Sequence, residues 1–169
     1  MNNALLVIDM QEILVGKSHA KLFKYDTDVL FRNVNQKISE YPPQHVYYIR
    51  KVMKKNLLNR LSPIQAFDGT PEADLAEALE VISEKNYIKY VGDAFANPSL
   101  TEDLRTSGIT HVDIVGVDGC GCVPLTAEGA IRNGFSARIL SDAVQTMSPK
   151  RESKQKARVS ELGVVYSEA

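Results

Sequence analysis

The sequence has 169 residues, of which 44% are apolar and 24% charged, and its formal net charge is −1. This charge balance provides no electrostatic basis for binding nucleic acid or acidic membranes. No apolar run approaches the roughly 20 residues of a membrane-spanning helix, and the first residues lack the basic region of a signal peptide. The only cysteines, Cys120 and Cys122, are too few for a secreted disulfide framework. We therefore expect a single cytoplasmic domain over residues 1–169 that binds neither nucleic acid nor membranes.

The first half of the chain predicts three strands and one helix. Residues 4–8 form a continuous apolar run, as expected of a strand that is buried on both faces. A helix is predicted over residues 26–40, where apolar residues recur at helical spacing until Pro42 and Pro43 end it. Strands are then predicted at residues 45–50 and, more weakly, at 86–89.

The second half continues the alternation of helices and strands. Helices are predicted at about 100–106, at about 122–132 with a stop at Asn133 and Gly134, and from Pro149 onward. Strands are predicted at 112–117, 137–140 and 163–166. This alternation indicates an α/β fold, a three-layer α/β/α sandwich around a mostly parallel sheet of about six strands.

In such folds ligands bind beyond the carboxyl ends of the strands. Asp9 follows the first strand, Lys89 ends the third, and Cys122 comes shortly after the strand that ends at Val117. The topology therefore predicts that these three residues meet in one crevice.

Cys122 is the first candidate nucleophile because it begins a predicted helix. The unpaired N–H groups and dipole of a helix N-terminus lower the pKa of a thiol, and the thiolate is the reactive form. A structural role remains open for each residue taken alone. Cys122 could be a buried thiol, Asp9 could cap the next turn, and the ammonium of Lys89 could reach water.

Five segments together resemble the isochorismatase-like cysteine hydrolase superfamily, which includes nicotinamidases and carbamoylsarcosine amidohydrolases. The segments are residues 4–11 (ALLVIDMQ), 69–75 (GTPEADL), 89–95 (KYVGDAF), 116–123 (GVDGCGCV) followed by Thr126, Ala127 and Ala130, and 141–143 (SDA), which resembles an acidic turn. They occur in the order found in the family and span most of the chain.

The resemblance implies a catalytic triad of Asp9, Lys89 and Cys122. It also implies a cis peptide bond between Val117 and Asp118, and an oxyanion hole formed by the backbone N–H groups of Asp118 and Cys122. The implied activity is hydrolysis of a small amide, ureido or carbamoyl substrate through a thioester, without a cofactor. We also expect the protein to form a homo-oligomer.

Two departures from the family pattern bear on the substrate. Residues 50–56 (RKVMKKN) contain no histidine and no acid where nicotinamidases carry a metal-binding Asp-x-His cluster, so we expect no metal. This basic segment could suit an anionic substrate or could be a solvated loop. Asp118 stands where many members have a small residue or glutamate. Isochorismatases proper lack the cysteine, which disfavours hydrolysis of a vinyl ether.

Two other functions stay open at this stage. The chain could be a catalytically silent binding or assembly module, although such a module has no need of all three triad residues. It could instead be a thiol redox protein that uses Cys120 and Cys122, although their spacing is not the Cys-x-x-Cys of thioredoxin-like sites.

Overall fold

Six strands form one sheet in the computed structural model, which describes residues 2–19, 23–62 and 64–167. The strands are β1 (Asn3–Ile8), β2 (Val46–Lys51), β3 (Asn86–Lys89), β4 (His111–Val117), β5 (Ser136–Gln145) and β6 (Val165–Ser167). Their order across the sheet is β3-β2-β1-β4-β5-β6, and each neighbouring pair is parallel. The strand order reverses between β1 and β4, and this switch point is where open parallel sheets bind ligands.

Helices cover both faces of this sheet. They are α1 (Glu12–Val15), α2 (Thr27–Ser39), α3 (Leu57–Arg60), α4 (Pro98–Thr106), α5 (Cys122–Arg132) and α6 (Pro149–Glu161). Short 3₁₀ turns lie at Pro43–His45, Pro71–Ala73 and Ala94–Ala96. Among the described residues, none of these helices has the length and apolar character needed to cross a bilayer.

The central strand β1 contributes to two separate cores. Ala4, Leu6 and Ile8 are fully buried against the face covered by α4, α5 and α6. Leu5 and Val7 are equally buried against the opposite face, which α2 covers. Because successive side chains of a strand point to opposite faces, a continuous apolar run is required here. The predicted three-layer α/β/α sandwich is confirmed, and the sheet is parallel throughout the described strands.

One glycine allows β1 and β4 to approach closely. Gly116 has a φ of +109°, and a Cβ atom added to it would lie 2.1 Å from the carbonyl oxygen of Ile8. Only glycine combines this backbone conformation with such a short approach. The two strands that lead into the crevice are therefore held against each other just before their carboxyl ends.

The strand β5 is longer than the strand predicted from the sequence at residues 137–140. Residues 141–143, predicted to form an acidic turn after a strand at 137–140, lie inside β5. Between the pairs Ile114–Ile139 and Gly116–Val144 the register shifts, so that β5 advances five residues while β4 advances two. The extra residues form an irregular bulge within the strand, which hydrophobic patterning alone does not distinguish from a turn.

Candidate active site

A buried ion pair joins the ends of two strands at the switch-point edge of the sheet. The Lys89 Nζ atom, at the end of β3, lies 3.0 Å from Oδ2 of Asp9, which directly follows β1. Both side chains are at most 2% exposed. Lys89 Nζ also donates a hydrogen bond of 2.8 Å to the backbone carbonyl of Gly92, so that its position is fixed from two sides. The structure therefore brings two of the three predicted triad residues into direct contact.

The carboxylate of Asp9 is only partly satisfied. Its Oδ1 atom is buried and has no hydrogen-bond partner among the described residues. Buried polar atoms are nearly always paired, so an unpaired oxygen at a strand end is an unusual feature. The backbone of Asp9 has a φ of 54°, in the left-handed region that aspartate tolerates better than most residues. Such backbone conformations are concentrated at functional sites.

Cys122, the first residue of α5, places its thiol beside both charged groups. Burial and the carboxylate of Asp9 raise the pKa of this thiol to about 11, and the opposing effects of Lys89 and Lys51 do not compensate. This corrects the sequence-based expectation of a lowered thiol pKa, which considered the helix N-terminus but neither burial nor the neighbouring carboxylate. The thiol is thus protonated at neutral pH and requires a base to become a nucleophile.

Lys89 keeps its charge in this environment. Burial alone would lower its pKa, but the neighbouring Asp9 and Cys122 outweigh burial and raise it. A cation held in this way remains available to stabilise negative charge on either neighbour.

The loop between β4 and α5 is organised around Asp118. The peptide bond between Val117 and Asp118 is cis. The backbone carbonyl of Asp118 accepts hydrogen bonds from the N–H groups of Gly121 and Val123, at 2.9 and 3.2 Å. Its carboxylate accepts four more, from the Tyr25 hydroxyl at 2.9 Å, Cys120 N–H at 2.6 Å, Met147 N–H at 2.8 Å and the Thr146 hydroxyl at 3.2 Å. Asp118 therefore stabilises this loop through the hydrogen bonds that its carbonyl and carboxylate accept, a role that its position in the sequence did not indicate.

The backbone N–H groups of Asp118 and Cys122 remain open. Neither donates a hydrogen bond to another group within the described residues. These are the two donors that the family resemblance assigns to an oxyanion hole, and a pair of preorganised donors beside a nucleophile is the arrangement that such a hole requires.

A cleft of about 580 Å³ opens above these residues. Asp9, Asp118 and Cys122 are among the residues that line it, together with Lys51 and Lys54, and the rest of its lining is largely apolar. A mostly apolar cleft with a few convergent polar groups is the usual form of a small-molecule site.

Gln11 supports the candidate site through hydrogen bonds to the backbone, and the sequence did not predict this role. It is fully buried, and its amide exchanges two hydrogen bonds with the backbone of Lys51, accepting from N–H at 2.8 Å and donating to the carbonyl at 3.1 Å. It donates another to the Ala73 carbonyl at 2.8 Å. The only signal in the sequence was an amide two residues after Asp9. Its partners lie 40 and 62 residues away, so no local pattern reveals them.

Cys120 belongs to the loop but not to the cleft. Both cysteines are free thiols, and Cys120 does not line the cleft as Cys122 does. Burial and the neighbouring Asp118 raise the pKa of Cys120. Thr146 and Arg151 act in the opposite direction but do not outweigh them, so the Cys120 thiol is not activated by the residues described around it.

Comparisons with known proteins show the family of this chain. A family model described as Isochorismatase domain matches residues 3–169. The nicotinamidase/pyrazinamidase of Mycobacterium tuberculosis (strain ATCC 25618 / H37Rv) is 33% identical over 96 residues, a match that covers 51% of this chain and 52% of that protein. The similarity thus spans about half the length of this curated relative.

Solved structures share the fold over nearly the whole chain. The pyrazinamidase of Pyrococcus horikoshii in complex with zinc has a TM-score of 0.78 at 26% identity and is covered over 100% of both chains. PnC1 from L. infantum in complex with nicotinate has a TM-score of 0.86 at 21% identity, with 99% of this chain and 92% of that chain covered. The N-carbamoylsarcosine amidase of Thermoplasma acidophilum has a TM-score of 0.78 at 21% identity, covering 99% and 96%.

The P. horikoshii structure is a complex with zinc, so the side chains of this chain that could bind a metal ion are relevant. Across residues 2–19, 23–62 and 64–167, no group of three or more histidine, cysteine, aspartate or glutamate side chains is placed to hold a metal ion. In the cleft, Asp9 is already paired with Lys89, and the carboxylate of Asp118 accepts four hydrogen bonds. Zinc sites need three or four nitrogen, sulfur or carboxylate ligands, so the residues described here do not fit one.

Proposed function

The chain belongs to the Isochorismatase domain family, and on that premise we propose that it is a cysteine hydrolase that cleaves a C–N bond of a small amide, ureido or carbamoyl compound. The observation that carries this proposal is the state of the Asp9 carboxylate. One of its oxygens is paired with Lys89 at 3.0 Å, and the other is buried without a hydrogen-bond partner among the described residues. The carboxylate is also close enough to the Cys122 thiol to raise the pKa of that thiol.

In the proposed reaction Asp9 accepts the proton of the Cys122 thiol, and the thiolate attacks the substrate carbonyl carbon. The N–H groups of Asp118 and Cys122 hold the oxyanion of the tetrahedral intermediate. As that intermediate collapses, Asp9 returns its proton to the departing ammonia or amine, which leaves a thioester on Cys122. A water molecule that gives its proton to Asp9 then attacks the thioester, and the released thiolate recovers this proton.

The raised thiol pKa fits this role for Asp9. Transfer of a proton from Cys122 to Asp9 exchanges a carboxylate for a thiolate, so one anion faces Lys89 before and after the step. The net charge of the buried group is unchanged, which avoids the cost of creating a new charge in a low-dielectric environment. Lys89 therefore permits the transfer by stabilising whichever partner carries the negative charge.

The test is a screen of small amides, ureido acids and carbamoyl compounds, with ammonia release as the measurement. On any substrate found, Cys122→Ala should abolish turnover because no acyl intermediate can form. Cys120→Ala is the matched control, since it removes a free thiol two residues away that does not line the cleft. Equal activity of the wild type and Cys122→Ala would refute the mechanism.

Asp9→Asn tests the base separately from the nucleophile. The amide keeps the shape of the side chain but cannot accept the proton, so activity should fall by about 10²–10⁴-fold. Loss of activity in Cys120→Ala but not in Cys122→Ala would move the nucleophile by two residues. A loss of two hydrogens in mass after mild oxidation, with no hydrolysis, would favour the thiol redox function.

A further inference from the structure

We infer that the substrate of this hydrolase carries a carboxylate and that Lys51 binds it. This inference rests on the proposed function, because it names the class of molecule that the same cleft accepts.

The charges that line the cleft are not balanced by the protein itself. Asp9 is neutralised by Lys89 at 3.0 Å, and the carboxylate of Asp118 is occupied by four hydrogen-bond donors. Lys51 and Lys54 also line the cleft, and no carboxylate among the described residues lies within 4.0 Å of either ammonium group. The cleft therefore offers positive charge to its occupant, because the negative charge of Asp9 is balanced by Lys89 and that of Asp118 is surrounded by hydrogen-bond donors.

Lys51 is the better placed of the two lysines. It is the last residue of β2, directly in register with Lys89 on β3, and it is close enough to the reacting thiol to counteract the rise in the Cys122 pKa. Lys54 instead lies over the ring of Tyr90, with 5.4 Å from its Nζ to the ring centroid. Lys51 is thus a cation that lines the cleft one strand away from Lys89 and can pair with a charge on the substrate.

The backbone of Lys51 is unusually well fixed for the end of a strand. Buried Gln11 bonds to both its N–H and its carbonyl, at 2.8 and 3.1 Å. A backbone that is held in this way does not have to be ordered when the substrate binds, which reduces the entropy lost on binding. Gln11 therefore fixes the point from which the Lys51 side chain extends.

The volume of the cleft limits the size of the substrate. About 580 Å³, bounded by apolar walls, suits a compact molecule with the carboxylate at one end and the amide or carbamoyl carbonyl at the other. Monoamides of short dicarboxylic acids and N-carbamoyl amino acids have this form, and neutral amides lack the group that Lys51 would bind.

The test uses pairs of primary amides that differ only in charge. Malonamate, succinamate and glutaramate are each compared with the amide in which an isopropyl group replaces the carboxylate, such as 4-methylpentanamide for succinamate. In the wild type, kcat/KM should be roughly 10- to 100-fold higher for the best anion than for its neutral counterpart, the range expected for a charged hydrogen bond. Lys51→Met should reduce the ratio of kcat/KM between anion and neutral amide to about 1–3, mainly through a higher KM for the anion. A smaller loss shared by both amides is expected, because Lys51 also opposes the rise in the Cys122 pKa.

Lys55→Met is the matched control because Lys55 is in the same basic segment but does not line the cleft. It should leave both members of each pair unchanged. Equal kcat/KM for anion and isostere in the wild type would overturn the inference. So would a Lys51→Met variant that loses the same factor on both, because that pattern indicates a general structural role.

A measurement of substrate binding without turnover distinguishes failure of this inference from failure of the proposed function. In Cys122→Ala, thermal shift with the same amides should show stabilisation by the anions alone, weakened by salt and absent after the additional change Lys51→Met. If no amide is hydrolysed but this pattern is found, the carboxylate site stands and the hydrolase proposal falls. If hydrolysis occurs but binding does not depend on charge, the hydrolase stands and the carboxylate site falls.

Discussion

The buried pair of Asp9 and Lys89 makes a quantitative prediction that can be tested without a substrate. Lys89→Met removes the ammonium but keeps most of the side-chain volume, so it leaves the Asp9 carboxylate buried without its partner. Asp9→Asn removes the opposite charge and leaves the ammonium in the same position. The double variant removes both charges.

The structure sets the size of the effect. Two unit charges 3.0 Å apart attract each other by about 5 kcal/mol at an effective dielectric constant of about 20. Because both side chains are at most 2% exposed, screening by water and salt reduces this little. Removing one partner of a buried pair typically lowers the free energy of unfolding by about 3–5 kcal/mol. The double variant should be more stable than Lys89→Met, since it no longer buries an uncompensated carboxylate.

The assay is urea unfolding of the four proteins at neutral pH, followed by circular dichroism and analysed as a double-mutant cycle. We expect a coupling energy of at least about 2 kcal/mol. Additive effects, with the double variant losing the sum of both single losses, would show that the two charges do not stabilise each other. A loss of less than about 1 kcal/mol in Lys89→Met would refute the reasoning as well.

Three further predictions concern the strand contact, the thiol and metals. Gly116→Ala should lower the free energy of unfolding by more than about 3 kcal/mol, because its Cβ would lie 2.1 Å from a backbone oxygen. Gly134→Ala is the control, since Gly134 also has a positive φ but faces open space, and it should lower the free energy of unfolding by about 1 kcal/mol. Equal losses of the two variants in urea unfolding would contradict this prediction. With the pKa of the Cys122 thiol raised to about 11, alkylation by iodoacetamide in Cys120→Ala should still be accelerating at about pH 10, and a plateau near pH 8 would argue against the raised value. Ammonia release should survive dialysis against a chelator, and its loss, with recovery on adding zinc, would reveal a metal site that the described residues do not indicate.

The features predictable from the sequence are those set by local patterns. Continuous apolar runs identify the buried strands, and α5 begins at Cys122 and ends at Arg132 as its boundary residues predict. The convergence of Asp9, Lys89 and Cys122 followed from topology, since all three come after or at strand ends. Local patterns did not predict the bulge in β5 or the three hydrogen bonds that Asp118 accepts from Tyr25, Thr146 and Met147, because each depends on contacts between distant segments. The raised thiol pKa was missed for the same reason, as burial and the orientation of the Asp9 carboxylate arise only from packing.

The position of β3 at the edge of the sheet has a consequence for the dynamics of the protein. Edge strands have a neighbour on one side only, and one of four residues would normally fray on short timescales. Here, detaching the end of β3 also withdraws Lys89 from Asp9 and breaks the hydrogen bond from Val52 N–H to the Lys89 carbonyl, of 3.0 Å. Opening of this edge therefore leaves the Asp9 carboxylate unpaired in the interior, so the ion pair to which we assign a role in the proposed reaction also stabilises the edge of the sheet. In hydrogen exchange the amide of Val52 should accordingly be protected like those of the central strands, and β3 should open together with the active site rather than independently of it.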